Sequence, residues 1–98
     1  MNVEQVKTIL ENNYNNIRGF HVKALYLFGS VVRGDAIETS DVDILVEFEP
    51  DAHIGLFEFA RLQRMLSGLL GCHVDISTRE SLHHALKEQI LEEAIHAV

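Results

Sequence analysis

Three features of this 98-residue chain carry residue types that could do chemistry. Asp41 and Asp43 stand one residue apart in "DVDILVEFE", Asp75 lies in "HVDIS", and Gly29 and Ser30 follow directly on the apolar run "LYLF". Two aspartates at i and i+2 of a strand put both carboxylates on one face, a few ångströms apart and both ionised at neutral pH. Like charges held that close repel, and a divalent cation between them removes the repulsion most simply. Oxygen ligands with open positions suit Mg²⁺, which keeps waters and takes substrate phosphates as further ligands. If the strand of Asp75 runs beside that of the pair, three carboxylates could hold two ions about 3.5–4 Å apart. That arrangement activates an attacking oxygen and stabilises a leaving one in phosphoryl transfer.

The Gly-Ser pair supplies the complementary half. Gly29 lets the backbone turn sharply after a strand and approach a ligand closely, and Ser30 could open a short helix whose N–H groups face an anion. Arg33, one helical turn on, is placed to add a phosphate contact. A triphosphate gripped there would lie beside the carboxylates, so the parts match nucleotidyl transfer from a nucleoside triphosphate. Each part also has a plainer reading: a common turn, a solvated strand edge, an exposed aspartate, and an Arg33 paired with Asp35 or Glu38. Together they favour the chemical reading, because aspartate is depleted from strands and these sit in a run that is otherwise β-branched and apolar. Ser40, just before the pair, reads as a turn residue.

The elements that must position these groups follow from periodicity. Val3, Val6, Leu10, Tyr14 and Ile17 recur at helical steps, with Gly19 as a stop. "VKALYLF" is short and nearly all apolar, as a central strand covered on both faces would be. A short helical or irregular stretch is expected between Gly29 and Thr39. In "DVDILVEFE", Val42, Ile44, Val46 and Phe48 face one way and Asp41, Asp43, Leu45 and Glu47 the other, which predicts a strand with one face in the core. After Pro50, Phe59, Leu62, Leu66 and Leu69 mark a helix ending near Gly71. "HVDIS" alternates again, with Val74 and Ile76 opposite His73, Asp75 and Ser77. A capping box from Ser77 to Glu80 would then start a last helix through Leu82, Leu86, Ile90, Ala94 and Ala97. The expectation is one α/β (α+β) domain over residues 1–98, a short mixed sheet of about three strands flanked by helices, with the strand order open.

Composition narrows the partners. Eight Lys and Arg against fifteen Asp and Glu leave a formal charge of −7, and no basic stripe exists to neutralise phosphates, which argues against direct nucleic-acid binding and suits a basic protein partner. No stretch approaches the roughly 18 apolar residues of a membrane span, and the N-terminus lacks a signal-peptide pattern, so no membrane association and a cytoplasmic location are expected. The one cysteine, Cys72, allows no internal disulfide and reads as a small core residue. Tyr14 and Tyr26 read as core, Glu47 and Glu49 as solvated. The six histidines show no metal spacing, though His73 shares a strand face with Asp75 and could tune it.

"GSVVRGDAIETSDVDILV" resembles the signature of the DNA polymerase beta superfamily of nucleotidyltransferases: Gly-Ser, about ten residues, then Asp-x-Asp. The chain is similar over nearly its whole length to the minimal nucleotidyltransferases, or MNT proteins, encoded beside HEPN-domain partners. That resemblance implies that Asp41 and Asp43 are catalytic and bind Mg²⁺, that Asp75 completes the metal site, and that Gly29 and Ser30 bind the triphosphate of the nucleotide, beside the Arg33 that spacing alone suggests. It implies an antitoxin that transfers AMP from ATP to a tyrosine of a HEPN ribonuclease toxin, with Asp75 as a general base, in a hetero-oligomer with that toxin and with a self-dimer left open. Larger relatives carry a further domain for the acceptor, and the chain's end soon after the third strand is expected to leave that task to the partner. The alternative is a non-catalytic antitoxin that neutralises its partner by binding alone; a small-molecule acceptor fits less well.

Overall fold

The computed structural model describes residues 1–35 and 41–98, so the turn at Ser40 and any pairing of Glu38 lie outside the described residues. Its sheet has the order β3-β2-β1-β4, built from β1 (Val22–Phe28), β2 (Val42–Phe48), β3 (Val74–Ser77) and β4 (Ile95–His96). β2 runs antiparallel to β1 and parallel to β3, while β4 lies antiparallel on the other edge of β1. The parallel pair is joined by the long helix α4 (Leu56–Leu70), the crossover that such pairing requires. Gly71 ends α4 in the left-handed region at φ 68°, where glycine carries no Cβ penalty.

One face of the sheet carries the core. Leu25 and Leu27 of β1, Val42, Ile44 and Val46 of β2 and Val74 of β3 pack against Val6 and Leu10 of α1 (Val3–Asn12), Ile17 of α2 (Tyr14–Arg18), and Leu62, Leu66 and Leu70 of α4. The four-residue step from Leu62 to Leu70 is the apolar stripe of a helix laid on a sheet. Cys72 is half-buried against this cluster, as a small core residue would be.

Several elements differ from expectation. The single N-terminal helix is two, interrupted at Asn13, whose Nδ2–H donates to the Ile9 carbonyl and so competes with helical pairing at the break. Tyr14, expected in the core, is 43% exposed: the break turns it outward, where its hydroxyl accepts from Arg18 at 2.8 Å. The last helix does not start from a Ser77–Glu80 box. Thr78 and Ser81 close a turn on each other instead, and α5 (His84–Glu93) begins after His83, whose ring Nδ1 accepts from the Ala85 N–H. Nor does α5 reach Ala97: the backbone turns extended at Ala94, and Ala97 and Val98 exchange hydrogen bonds with Leu25 at 2.8 and 3.1 Å. The fourth strand thus comes from residues whose spacing also fits a helix. Leu45, on the polar face of β2, is buried as well, between Tyr26 and Ser77 in the ladder.

The contrast between α4's two faces is testable. Leu66→Ala, fully buried, should cost about 2–5 kcal/mol. Leu56→Ala, at 81% exposure, should stay within about 0.5 kcal/mol. Urea denaturation of the two variants measures both, and equal losses would contradict the packing described.

Candidate active site

The end of the sheet where β1 finishes and β2 and β3 begin collects the polar groups. The parallel register places Asp43 directly opposite Asp75, and Val42 opposite Val74, so that Asp41 and His73 flank the next position down. His73 Nδ1 lies 3.3 Å from Asp41 Oδ1, and the His73 carbonyl accepts the Val42 N–H. His73 therefore meets Asp41 rather than Asp75. Antiparallel pairing brings Phe28 opposite Asp43, which delivers the following residue, Gly29, onto the same carboxylate. The β-branched alternation that buries Val42, Ile44, Val74 and Ile76 against the helices forces Asp43 and Asp75 together onto the opposite face.

Gly29 adopts φ 78° and packs so closely on Asp43 that a Cβ there would collide with Oδ2 and lie 3.1 Å from Cγ. Both the backbone angle and the space demand glycine. Ser30, half-buried, opens the four-residue helix α3 (Ser30–Arg33), which Gly34 terminates at φ 79°. Arg33 at its end has Nε 3.6 Å from Asp35 Oδ2 and a terminal nitrogen 3.4 Å from Glu93 Oε1. The Asp35 pairing foreseen in the sequence is present. Glu93, sixty residues away in sequence, was not foreseen, and nothing in its helical context marks it. Its carboxylate also accepts from the Gly29 N–H at 3.3 Å.

Burial first, then the charges of Asp75 and Asp41, raise the Asp43 pKa above the usual carboxylate value, with the Arg33 guanidinium pulling the other way. Like charges and desolvation thus act together where the ladder holds two carboxylates side by side. The donors fit a hard divalent cation in kind: oxygen ligands on one sheet face whose mutual repulsion a cation would relieve. They are not closed around one, since among the described residues no three His, Cys, Asp or Glu side chains are gathered to hold a metal ion. Glu47 lies farther along β2 and Glu49 just past its end, both half-exposed, with Glu49 3.9 Å from Arg18.

Because the folded chain holds the Asp43 proton at pH values where the unfolded chain has released it, this group's contribution to stability falls as pH rises from about 3.8 through the raised value. The penalty is fully present at neutral pH. Asp43→Asn should therefore raise the melting temperature of the metal-free protein at pH 7, with the gain shrinking as pH falls through the raised value and gone below the ordinary value of 3.8. A variant less stable than wild type at pH 7 in chelator would contradict this.

The nucleotidyltransferase domain family matches residues 3–96 of the chain. The protein adenylyltransferase MntA of Thermococcus cleftensis is 37% identical over 97 residues, covering 98% of this chain and 96% of its own. A solved structure provisionally described as a minimal nucleotidyltransferase superposes with a TM-score of 0.78 at 40% identity, over 97% of this chain and 95% of that one. The fold also recurs, at 21% identity and a TM-score of 0.64 over 94% of this chain and 71% of the other, in the complex of a tri-AMPylated Shewanella oneidensis HEPN toxin with its MNT antitoxin. The chain belongs to the nucleotidyltransferase domain family, among its minimal members of the protein adenylyltransferase type.

Proposed function

We propose that this nucleotidyltransferase moves AMP from ATP to a tyrosine hydroxyl of a HEPN-type ribonuclease toxin and so acts as the toxin's antitoxin. The observation that carries the reading is the direct pairing of Asp43 with Asp75 beside a glycine that only an unhindered backbone could bring so close. Similarity over nearly the full length to a relative named as a protein adenylyltransferase supports the reaction class. The complex of an AMPylated HEPN toxin with an MNT antitoxin supports the acceptor.

On this reading Ser30 and Arg33 contact the triphosphate and fix it at the end of β1, while the open turn at Gly29 lets it approach Asp43. Asp41, Asp43 and Asp75 would hold Mg²⁺, which when bound supplies charge neutralisation for the phosphates and for the departing pyrophosphate. Asp75, exposed on the shorter of the two acidic strands, would take the proton of the incoming hydroxyl, whose oxygen bonds to the α-phosphorus as the bond from that phosphorus to the oxygen leading to the β-phosphate breaks. His73 keeps Asp41 oriented along the strand. The chain's net charge of −7 suits a basic partner and opposes direct contact with nucleic acid. Among the described residues no helix is long and apolar enough to cross a membrane.

Incubation with α-labelled ATP, Mg²⁺ and a HEPN protein from the same operon should label the HEPN protein on tyrosine. Asp43→Asn and Asp75→Asn should each lower the rate by about two to three orders of magnitude, the effect of several kcal/mol of transition-state stabilisation. A wild-type chain that blocks the toxin without labelling it would establish neutralisation by binding alone. Millimolar Mg²⁺ should also raise the melting temperature of the wild type and leave that of Asp43→Asn unmoved, and the absence of any difference would remove the metal assignment.

A further inference from the structure

We propose that Glu93 is a positioning residue: from the last turn of α5 it fixes the Gly29 turn and holds the Arg33 guanidinium beside Asp43, so that both present a set geometry to an anionic ligand. The proposal rests on reading this site as the nucleotide site. A single oxygen, Glu93 Oε1, accepts from the Gly29 N–H at 3.3 Å and from Arg33 at 3.4 Å. The two donors come from the first and last residues around α3, so one carboxylate spans the whole turn between β1 and that helix. The Glu93 side chain is 21% exposed, against 50% for Arg33. An ion pair this open adds little stability, and its value lies in direction.

Without Glu93 the buried Gly29 would lose an acceptor for its N–H, and among the described residues Arg33 would keep the carboxylate of Asp35, which is 63% exposed. The guanidinium would then be drawn toward solvent and away from the aspartates. Packing holds α5 only loosely, because none of its side chains is fully buried and Ile90 and Leu91 are half-buried. Among the described residues, the two bonds to Glu93 are the side-chain hydrogen bonds that join α5 to the body of the domain.

A carboxylate oxygen offers the same acceptor chemistry as a phosphate oxygen, so Glu93 could equally be a stand-in that a triphosphate must expel. The sign of one measurement separates the roles. Binding of a non-hydrolysable ATP analogue with Mg²⁺, followed by calorimetry on the full chain, should weaken about fivefold to tenfold in Glu93→Ala, as loss of one charge-assisted contact implies. Glu93→Gln keeps an acceptor for Gly29 and should fall between. In an Arg33→Ala background, Glu93→Ala should cost less than about a further twofold, since the two act as a unit. Nitrogen-correlated spectra of the nucleotide-free protein should show the Gly29 amide and Arg33 Nε–H displaced in Glu93→Ala while core amides stay in place. Tighter binding in either Glu93 variant, full additivity with Arg33→Ala, or unmoved Gly29 and Arg33 resonances would each overturn the proposal. A wild type that bound no nucleotide would sink the nucleotide reading and this proposal with it, yet the resonances would still report whether the tether forms.

Discussion

The pairing of Asp43 with Asp75 across two parallel strands is the constraint to which the rest of the molecule is fitted. Two carboxylates at one rung repel, and partial burial of Asp43 strengthens the effect. The register cannot relax, because sliding β3 by one residue would turn Val74 and Ile76 away from the helices and set polar side chains against Leu62 and Leu66. Apolar burial on one face therefore holds an unfavourable charge arrangement on the other. Active sites commonly keep charge in this way, with the core supplying the energy that the site consumes.

The neighbours of the pair answer the same constraint. Arg33 draws the Asp43 pKa back down, His73 stands against Asp41, and Gly29 yields the space that any side chain would fill. None of these is an isolated surface contact. Each attaches to a different segment (the end of β1, α3, and the residue before β3), so the acidic face is braced from three directions. α4 matters here only indirectly: by burying Leu62, Leu66 and Leu70 it carries the chain back so that β3 returns parallel to β2 with Asp75 at the level of Asp43.

Much of this was legible in the sequence because the informative signals were local. Alternation in "DVDILVEFE" and "HVDIS" assigned the faces, and the Asp-x-Asp spacing with a Gly-Ser turn located the chemistry before any strand order was known. What escaped was non-local or ambiguous. Ala94 and Ala97 satisfy a helical step, yet the β1 edge offers Leu25 as a partner and the chain end extends to meet it. Periodicity cannot see an unpaired edge. Tyr14 fitted an apolar stripe until the Asn13 break rotated it outward. Glu93 lies on a helix whose sequence gives no reason to single out one acidic residue among three, and only the fold brings it to Gly29.

Electrostatics sets a further condition on the proposed reaction. The chain carries fifteen acidic side chains, and those nearest the site are Asp41, Asp43, Asp75 and Glu93, against the lone guanidinium of Arg33 among the described residues there. A nucleoside triphosphate is itself a polyanion, so approaching this face without added positive charge would set like against like at short range. Affinity for the nucleotide should then depend steeply on a divalent cation, since the cation removes repulsion among the aspartates and between them and the phosphates at once. The same acidic field acts in the opposite sense on a basic acceptor protein, drawing it toward the face where the reaction would occur. On the proposed reaction, one charge distribution would thus make the nucleotide conditional on metal while drawing in a basic acceptor without it.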